Sequence, residues 1–214
     1  MVAHQQASFD LTSHVPLVLY PHPVLRWKSA EVRQIDDNLR RTVDQMFELM
    51  YDNEGLGLAA NQVGLPLRFF VVNMAEDPKE HRDNRVFINP VLRNRKGSEQ
   101  DEEGCLSFPT LFGPVTRAGK LVVEAFDLKG ELFEMSLSGM AARVIQHEND
   151  HLDGLLFIDK IPQSELADFE ATMIDLIKLF EAAQAEGQIK PKDQLTKELA
   201  AIAEKGQVPA DFAI

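Results

Sequence analysis

Residues 138–154 read SGMAARVIQHENDHLDG, and the organisation of the chain turns on them. Ser138 suits an N-cap and Asp153-Gly154 a stop, so a helix is predicted to run between them to about Leu152. Within it His147, Glu148 and His151 form H-E-x-x-H. Residues four apart share a helix face about one turn apart. Two imidazoles so placed can hold one metal ion at about 2.0–2.1 Å per nitrogen. Glu148 is turned roughly 100° from His147. It can stand beside such an ion without ligating it, where a general base is needed. Met140, Val144, His147 and His151 continue one stripe, so both histidines are expected on the buried face. Two core histidines and an exposed glutamate are the plain alternative. Two neutral imidazoles in an apolar stripe would then each need a hydrogen-bond partner.

Working outward, Leu39, Val43, Met46, Phe47 and Met50 mark one apolar face of a helix predicted over 35–53. Asp36 and Asp37 suit its N-cap and first turn, and Gly55 its stop. GLGLAANQVG (55–64) reads as a glycine-bearing loop. LRFFVVNM (67–74), VFINPVL (86–92), LVVEAFDL (121–128) and ELFEMSL (131–137) read as strands, the last two joined as a hairpin at Lys129-Gly130. AEDPKEHRDN (75–84) is a polar loop, and Pro21 and Pro23 predict an extended YPHPVLR (20–26). A third helix is predicted beyond Pro162, with a weak capping pattern at Ser164, ending at Gly187. The expected fold is α+β: short antiparallel strands around a central metal-binding helix, with a C-terminal helix. The expected divisions are a flexible leader (1–15), a catalytic domain (16–162), a C-terminal helix (163–187) and an extra tail (188–214) without assigned order.

Composition excludes several functions. Among 214 residues, 22 are basic and 34 acidic, a net charge of −12. Non-specific nucleic-acid binding and anionic membranes call for the opposite sign. No apolar run approaches the roughly 18 residues of a membrane span, and the N-terminus lacks the pattern of a secretory signal. Cys105 is the sole cysteine, so no intramolecular disulfide forms. A reducing, cytoplasmic setting is expected.

A catalytic metal commonly has three protein ligands and one open position. His4, His14, His22 and His81 lie in leader or loop segments. Phe157 stands where a metzincin would place a third histidine. Cys105, in EGCLS (103–107), is the remaining strong candidate, with a buried filler thiol as the alternative. GLGLAA (55–60) imitates a dinucleotide fingerprint. That fingerprint requires strand, turn, then helix, whereas here a helix precedes and a strand follows. A loop offering its backbone to an extended ligand fits better. Gln62 could donate an amide N–H to a developing oxyanion, or be a solvated surface side chain.

In order and spacing, GLGLAANQ (55–62), EGCLS (103–107) and QHENDHLDG (146–154) resemble the three signature motifs of the peptide deformylase family, and YPHPVLR is similar to that family's N-terminal segment. The resemblance covers roughly residues 16–162. It implies a metal-dependent hydrolase that removes the formyl group from N-terminal formylmethionine and releases formate. Carried over by position, Cys105, His147 and His151 hold the metal, with water in the fourth place. Glu148 serves as general base and then acid. The Gln62 side chain and the Leu106 N–H stabilise the oxyanion. Leu56, Gly57 and Gly104 pair with the substrate backbone, and the methionine side chain enters an apolar pocket near Leu56, Val144 and His147.

The resemblance implies iron(II) as native metal, with nickel or cobalt as working substitutes; affinity order alone favours zinc. It implies N-formylmethionyl peptides as partners and a transient encounter with the ribosome. The chain departs from the family in having Asn61 where threonine is frequent. It also lacks a basic residue in FPTLFGP (108–114), where many bacterial members carry one. The acidic tail gives no support to a phosphate-binding helix and is expected to be dispensable for chemistry. A zincin-type endopeptidase and a non-catalytic binding module are the competing readings. The lack of a third histidine counts against the first, and the presence of Glu148 and Gln62 against the second.

Overall fold

β2 (Phe69–Asn73) is buried at every position because a helix covers each of its faces. Side chains alternate across a strand. Phe69 and Val71 therefore join the cluster under α1 (Asp37–Asp52), and Phe70 and Val72 the cluster under α2 (Gly139–Leu152). This double burial explains the unbroken apolar run FFVV. The computed structural model describes residues 17–75, 80, 83–212 and 214. The leader 1–15, with His4 and His14, lies outside the described residues, as do 76–79 and 81–82 of the polar loop, including His81.

The fold is α+β. A five-stranded antiparallel sheet has the order β1 (Gly57–Ala59), β2, β3 (Asn84–Lys96), β6 (Lys120–Phe126), β7 (Leu132–Ser138). β4 (Glu99–Cys105) and β5 (Phe108–Arg117) form a separate two-stranded ribbon. The Asp36 carboxylate caps α1 by accepting the Leu39 N–H at 2.9 Å. Ser138 precedes α2, but its side chain makes no capping bond. At the other end Gly154 has φ 73°, and a Cβ there would lie 2.7 Å from the Arg26 carbonyl oxygen.

Several expectations change in three dimensions. The acidic EQDEEGC has little intrinsic strand preference, yet it forms β4 because β5 supplies a full partner edge. The loop 55–64 contains β1 and a 3-10 turn, Ala60–Val63. The 20–26 segment is not extended throughout: Pro23–Arg26 is a 3-10 turn, with His22 Nδ1 accepting the Val24 N–H. The third helix begins with a 3-10 turn (Leu166–Phe169) before α3 (Glu170–Ala185), and no side chain caps it. Of the stripe expected to be the buried face of α2, His151 is buried, but Met140, Val144 and His147 line a cleft. Met140 is 55% exposed, while Ala142, Ile145 and Leu152 face the core.

The tail is tied into the body. α4 (Lys192–Lys205) buries Leu199 in a cluster with Val24, Leu25 and Leu176. Beyond it Val208 joins the α1 cluster, and the Gly206 carbonyl accepts the Arg33 N–H at 2.8 Å. Ending the chain at Gly187 removes both buried side chains. By the usual cost of emptying core positions, stability should fall by about 3 kcal/mol or more. Chemical denaturation of the two forms checks this; equal midpoints would show that α4 adds nothing.

Candidate metal centre and its cleft

α2 presents His147 and His151 one turn apart, with ring centroids 5.1 Å from each other. β4 brings Cys105 to the same place. Its register with β5 breaks at that residue: Gly104 faces Phe112, but Cys105 faces Phe108. Such irregularities re-aim side chains. The Cys105 thiol, His147 and His151 offer ligand atoms all within 4.8 Å of one another, and Sγ lies 3.3 Å from His151 Nε2. Tetrahedral bonds of about 2.3 Å to sulfur and 2.0 Å to nitrogen imply an S···N separation of about 3.5 Å. The donor set therefore fits one divalent ion. Phe157 fills the flank, packed on His147 at 6.4 Å and on Phe108 at 5.4 Å.

Behind this cluster lies a buried charge network. The Glu103 carboxylate accepts from Arg117 through both oxygens (2.6 and 2.8 Å), from Arg143 at 2.6 Å, and contacts His147 Nδ1 at 3.1 Å. This leaves His147 Nε2 for a metal. Arg117 also bonds Asp150 at 2.6 Å. Burial would push the Glu103 carboxyl up, but the bonds from His147 and Arg117 outweigh it and hold it down to about 2. Burial likewise opposes charge on His147, yet Cys105 and Glu103 push it up to about 10. Metal binding at such a site expels that proton. Burial and the neighbouring His147 and Arg117 hold His151 well below its ordinary value, neutral as a ligand must be.

The remaining predicted residues surround a cavity of about 480 Å³ beside this cluster. Leu56, Gly57, Gln62, Gly104, Leu106, Val144 and Glu148 all line it. Glu148 is buried, its Oε2 has no hydrogen-bond partner, and burial pushes its carboxyl up to about 7 against the pull of His147 and Arg117. Gly57 packs directly on it: a Cβ there would lie 2.6 Å from Glu148 Oε1. Gln62 is not solvated. Its Oε1 accepts the Ala59 N–H at 2.9 Å, which turns Nε2 toward Ser107 Oγ (3.3 Å) and Cys105 Sγ (3.5 Å). The Leu106 N–H has no acceptor among the described residues. Among the described residues β1 pairs only with β2 and β4 only with β5, so two open strand edges flank the cleft. Asn61 stands outside the chemistry. It is fully buried and staples the 3-10 turn to Ser29 Oγ and to the Val24 and Trp27 carbonyls.

The sequence profile of the polypeptide deformylases matches residues 14–167. The chain belongs to the polypeptide deformylase family. It is 39% identical over 184 residues to the peptide deformylase of Rhodopirellula baltica, covering 86% of this chain and 91% of that one. It is 46% identical over 147 residues to that of Acidobacterium capsulatum, covering 68% and 85%. Peptide deformylase from Plasmodium falciparum superposes with a TM-score of 0.74 at 38% identity, over 78% of this chain and 97% of that one. Peptide deformylase 1B of Arabidopsis thaliana, in complex with an inhibitor, gives 0.74 at 38%, over 79% and 93%. As a deformylase the chain is a hydrolase that takes the formyl group from nascent proteins, and its family uses a catalytic metal. Among the described residues no helix is long and apolar enough to cross a membrane.

Sequence reasoning on this deformylase missed Glu103, Ser107, Arg117, Arg143 and Asp150. Part of the signal was present: Arg143 and Asp150 flank His147 at helical spacing. Arg117 and Glu103 meet only through the β4–β5 pairing. Gly57→Ala tests the packing on Glu148. The added methyl displaces the carboxyl, and turnover should fall about 100-fold, as displacements near 1 Å do. Metal content should stay normal. Metal analysis and formate release on one sample check this, and normal turnover would show that the carboxyl tolerates the shift.

Proposed function

We propose that deformylation runs on Glu148, with Cys105, His147 and His151 as metal ligands and Gln62 and Leu106 as oxyanion donors. The observation that carries this reading is a buried carboxyl with an unpartnered oxygen beside a thiol and two imidazoles clustered within 4.8 Å. A divalent ion held there supplies Lewis acidity and lowers the pKa of a water from about 15.7 toward 7. Glu148 accepts the proton of the attacking water and hands it to the leaving amine, which departs poorly unless protonated. A carboxyl poised near neutrality suits both transfers. In this reading the Gln62 Nε2–H and the Leu106 N–H stabilise the negative charge that develops on the formyl oxygen. The open edges at Leu56, Gly57 and Gly104 align the peptide as an added strand. Val144, Leu56 and the side of His147 receive the methionine side chain.

The family resemblance supports iron(II) as the native ion, and the soft thiolate admits zinc, nickel or cobalt in purified protein. The proposed setting is the cytoplasm, where a reducing medium preserves the single thiol. The formylated chains emerge at the ribosome, so the encounter with it is transient and substrate-led.

Glu148→Gln keeps shape but cannot accept a proton. Metal content should stay near one per chain while kcat falls by at least about 100-fold. Stoichiometry and formate release measured on the same sample decide it; full metal with normal turnover refutes the general-base role. Cys105→Ser should in turn lose or exchange the ion much faster under a chelator. Unchanged exchange would remove Cys105 from the ligand set.

A further inference from the structure

A second cavity, of about 370 Å³, lies between α3 and the segment that enters the fold at Leu17. Leu19, Val63, Leu176, Phe180 and Ile189 give it apolar walls, and among the described residues no Lys, Arg, Asp or Glu lines it. One imidazole, His22, is part of the wall. Its Nδ1 accepts the Val24 N–H at 3.2 Å, so the proton of the neutral ring sits on Nε2. That N–H has no acceptor among the described residues, and the ring is held edge-on to Phe180 at 5.9 Å. Nε2 is thus an available donor in the cavity wall. Among the described lining residues an anion would find no cation and a cation no carboxylate, so either would pay desolvation without return.

We propose that this cavity is a second ligand site, for an uncharged molecule with an aliphatic body and one carbonyl-type acceptor bonded to His22 Nε2. Burial lowers the His22 pKa to about 4, so the ring stays neutral and suits a neutral partner. The site is coupled to catalysis through its shared wall, since Leu17 lines both cavities. The Val18 N–H donates to the Gln62 carbonyl at 2.7 Å, and the Tyr20 N–H to the Ser107 carbonyl at 3.1 Å. Ser107 Oγ in turn holds Gln62 Nε2. An occupant that moves residues 17–20 therefore moves the oxyanion donor, a coupling that rests on the role proposed for Gln62.

The probe is N-hexylacetamide, a single carbonyl on an n-hexyl chain, titrated into the zinc-loaded full chain and followed by backbone amide NMR. Saturable shifts should centre on Val18, Ala183 and Ile189. They should vanish in Ala183→Trp, which fills the cavity, and bind about 3- to 10-fold more weakly in His22→Phe, which keeps a ring but loses the donor. Formate release at saturating peptide should change with probe concentration. Shifts confined to Gly57 and Gly104, no saturation, or equal affinity in His22→Phe would overturn the site. Saturable binding with unaltered turnover would overturn the coupling alone. Failure of the catalytic reading is separately visible as absent formate release without probe.

Discussion

One carboxylate, that of Glu103, is gripped from three directions: by Arg117 of β5, by Arg143 of α2, and by His147 one turn further along α2. Arg143 reaches on to the carbonyls of Val115 and Glu99, so the β4–β5 ribbon is pinned to the helix at several points. Cys105 follows Glu103 by two residues on the same strand. The distance between thiol and imidazoles is thus set by this pin. Burying such ions costs several kcal/mol each before pairing, and a well-packed apolar replacement is often as stable. The network is better understood as a device for position than as a reservoir of stability.

That pin also shapes the cleft. α2 covers one face of the sheet with Ala142, Ile145 and Leu152, which leaves the Met140–Val144–His147 side to look outward. With the ribbon fixed opposite, the free edge of β1 and the free edge of β4 face a common space. In the proposed reading an extended peptide entering there would meet backbone on both sides, with the Cys105–His147–His151 cluster and Glu148 at its inner end. Glycine matters most at Gly57, where a Cβ would lie 2.6 Å from the buried Glu148 Oε1.

Much of the chemistry was legible in one dimension because it sits on a single helix. H-E-x-x-H carries its own geometry, since the α-helical period alone puts the two imidazoles together and turns the glutamate aside. The apolar stripe of α1 and the β-rich runs of β2, β3, β6 and β7 were readable for the same reason: each is a local periodicity. β4 was not, because its acidic residues disfavour a strand until a partner edge is present. Nor was the orientation of α2. A stripe of Met, Val and His reads alike whether it faces a core or a substrate cleft. The tail lacked a reading because α4 is weakly patterned, and its place depends on Leu199 and Val208 finding distant clusters.

By itself, then, the sequence determined the donor types, the base beside them, and the helices and most strands, all of which follow from spacings of a few residues. Tertiary structure alone decided that Cys105 meets the histidines, that Gln62 turns its N–H rather than its oxygen toward them, and that five buried polar side chains hold the arrangement. Those contacts join residues about 14 to 46 positions apart. Backbone periodicity carries no information at such separations; only the packing of strand on helix brings them within bonding distance.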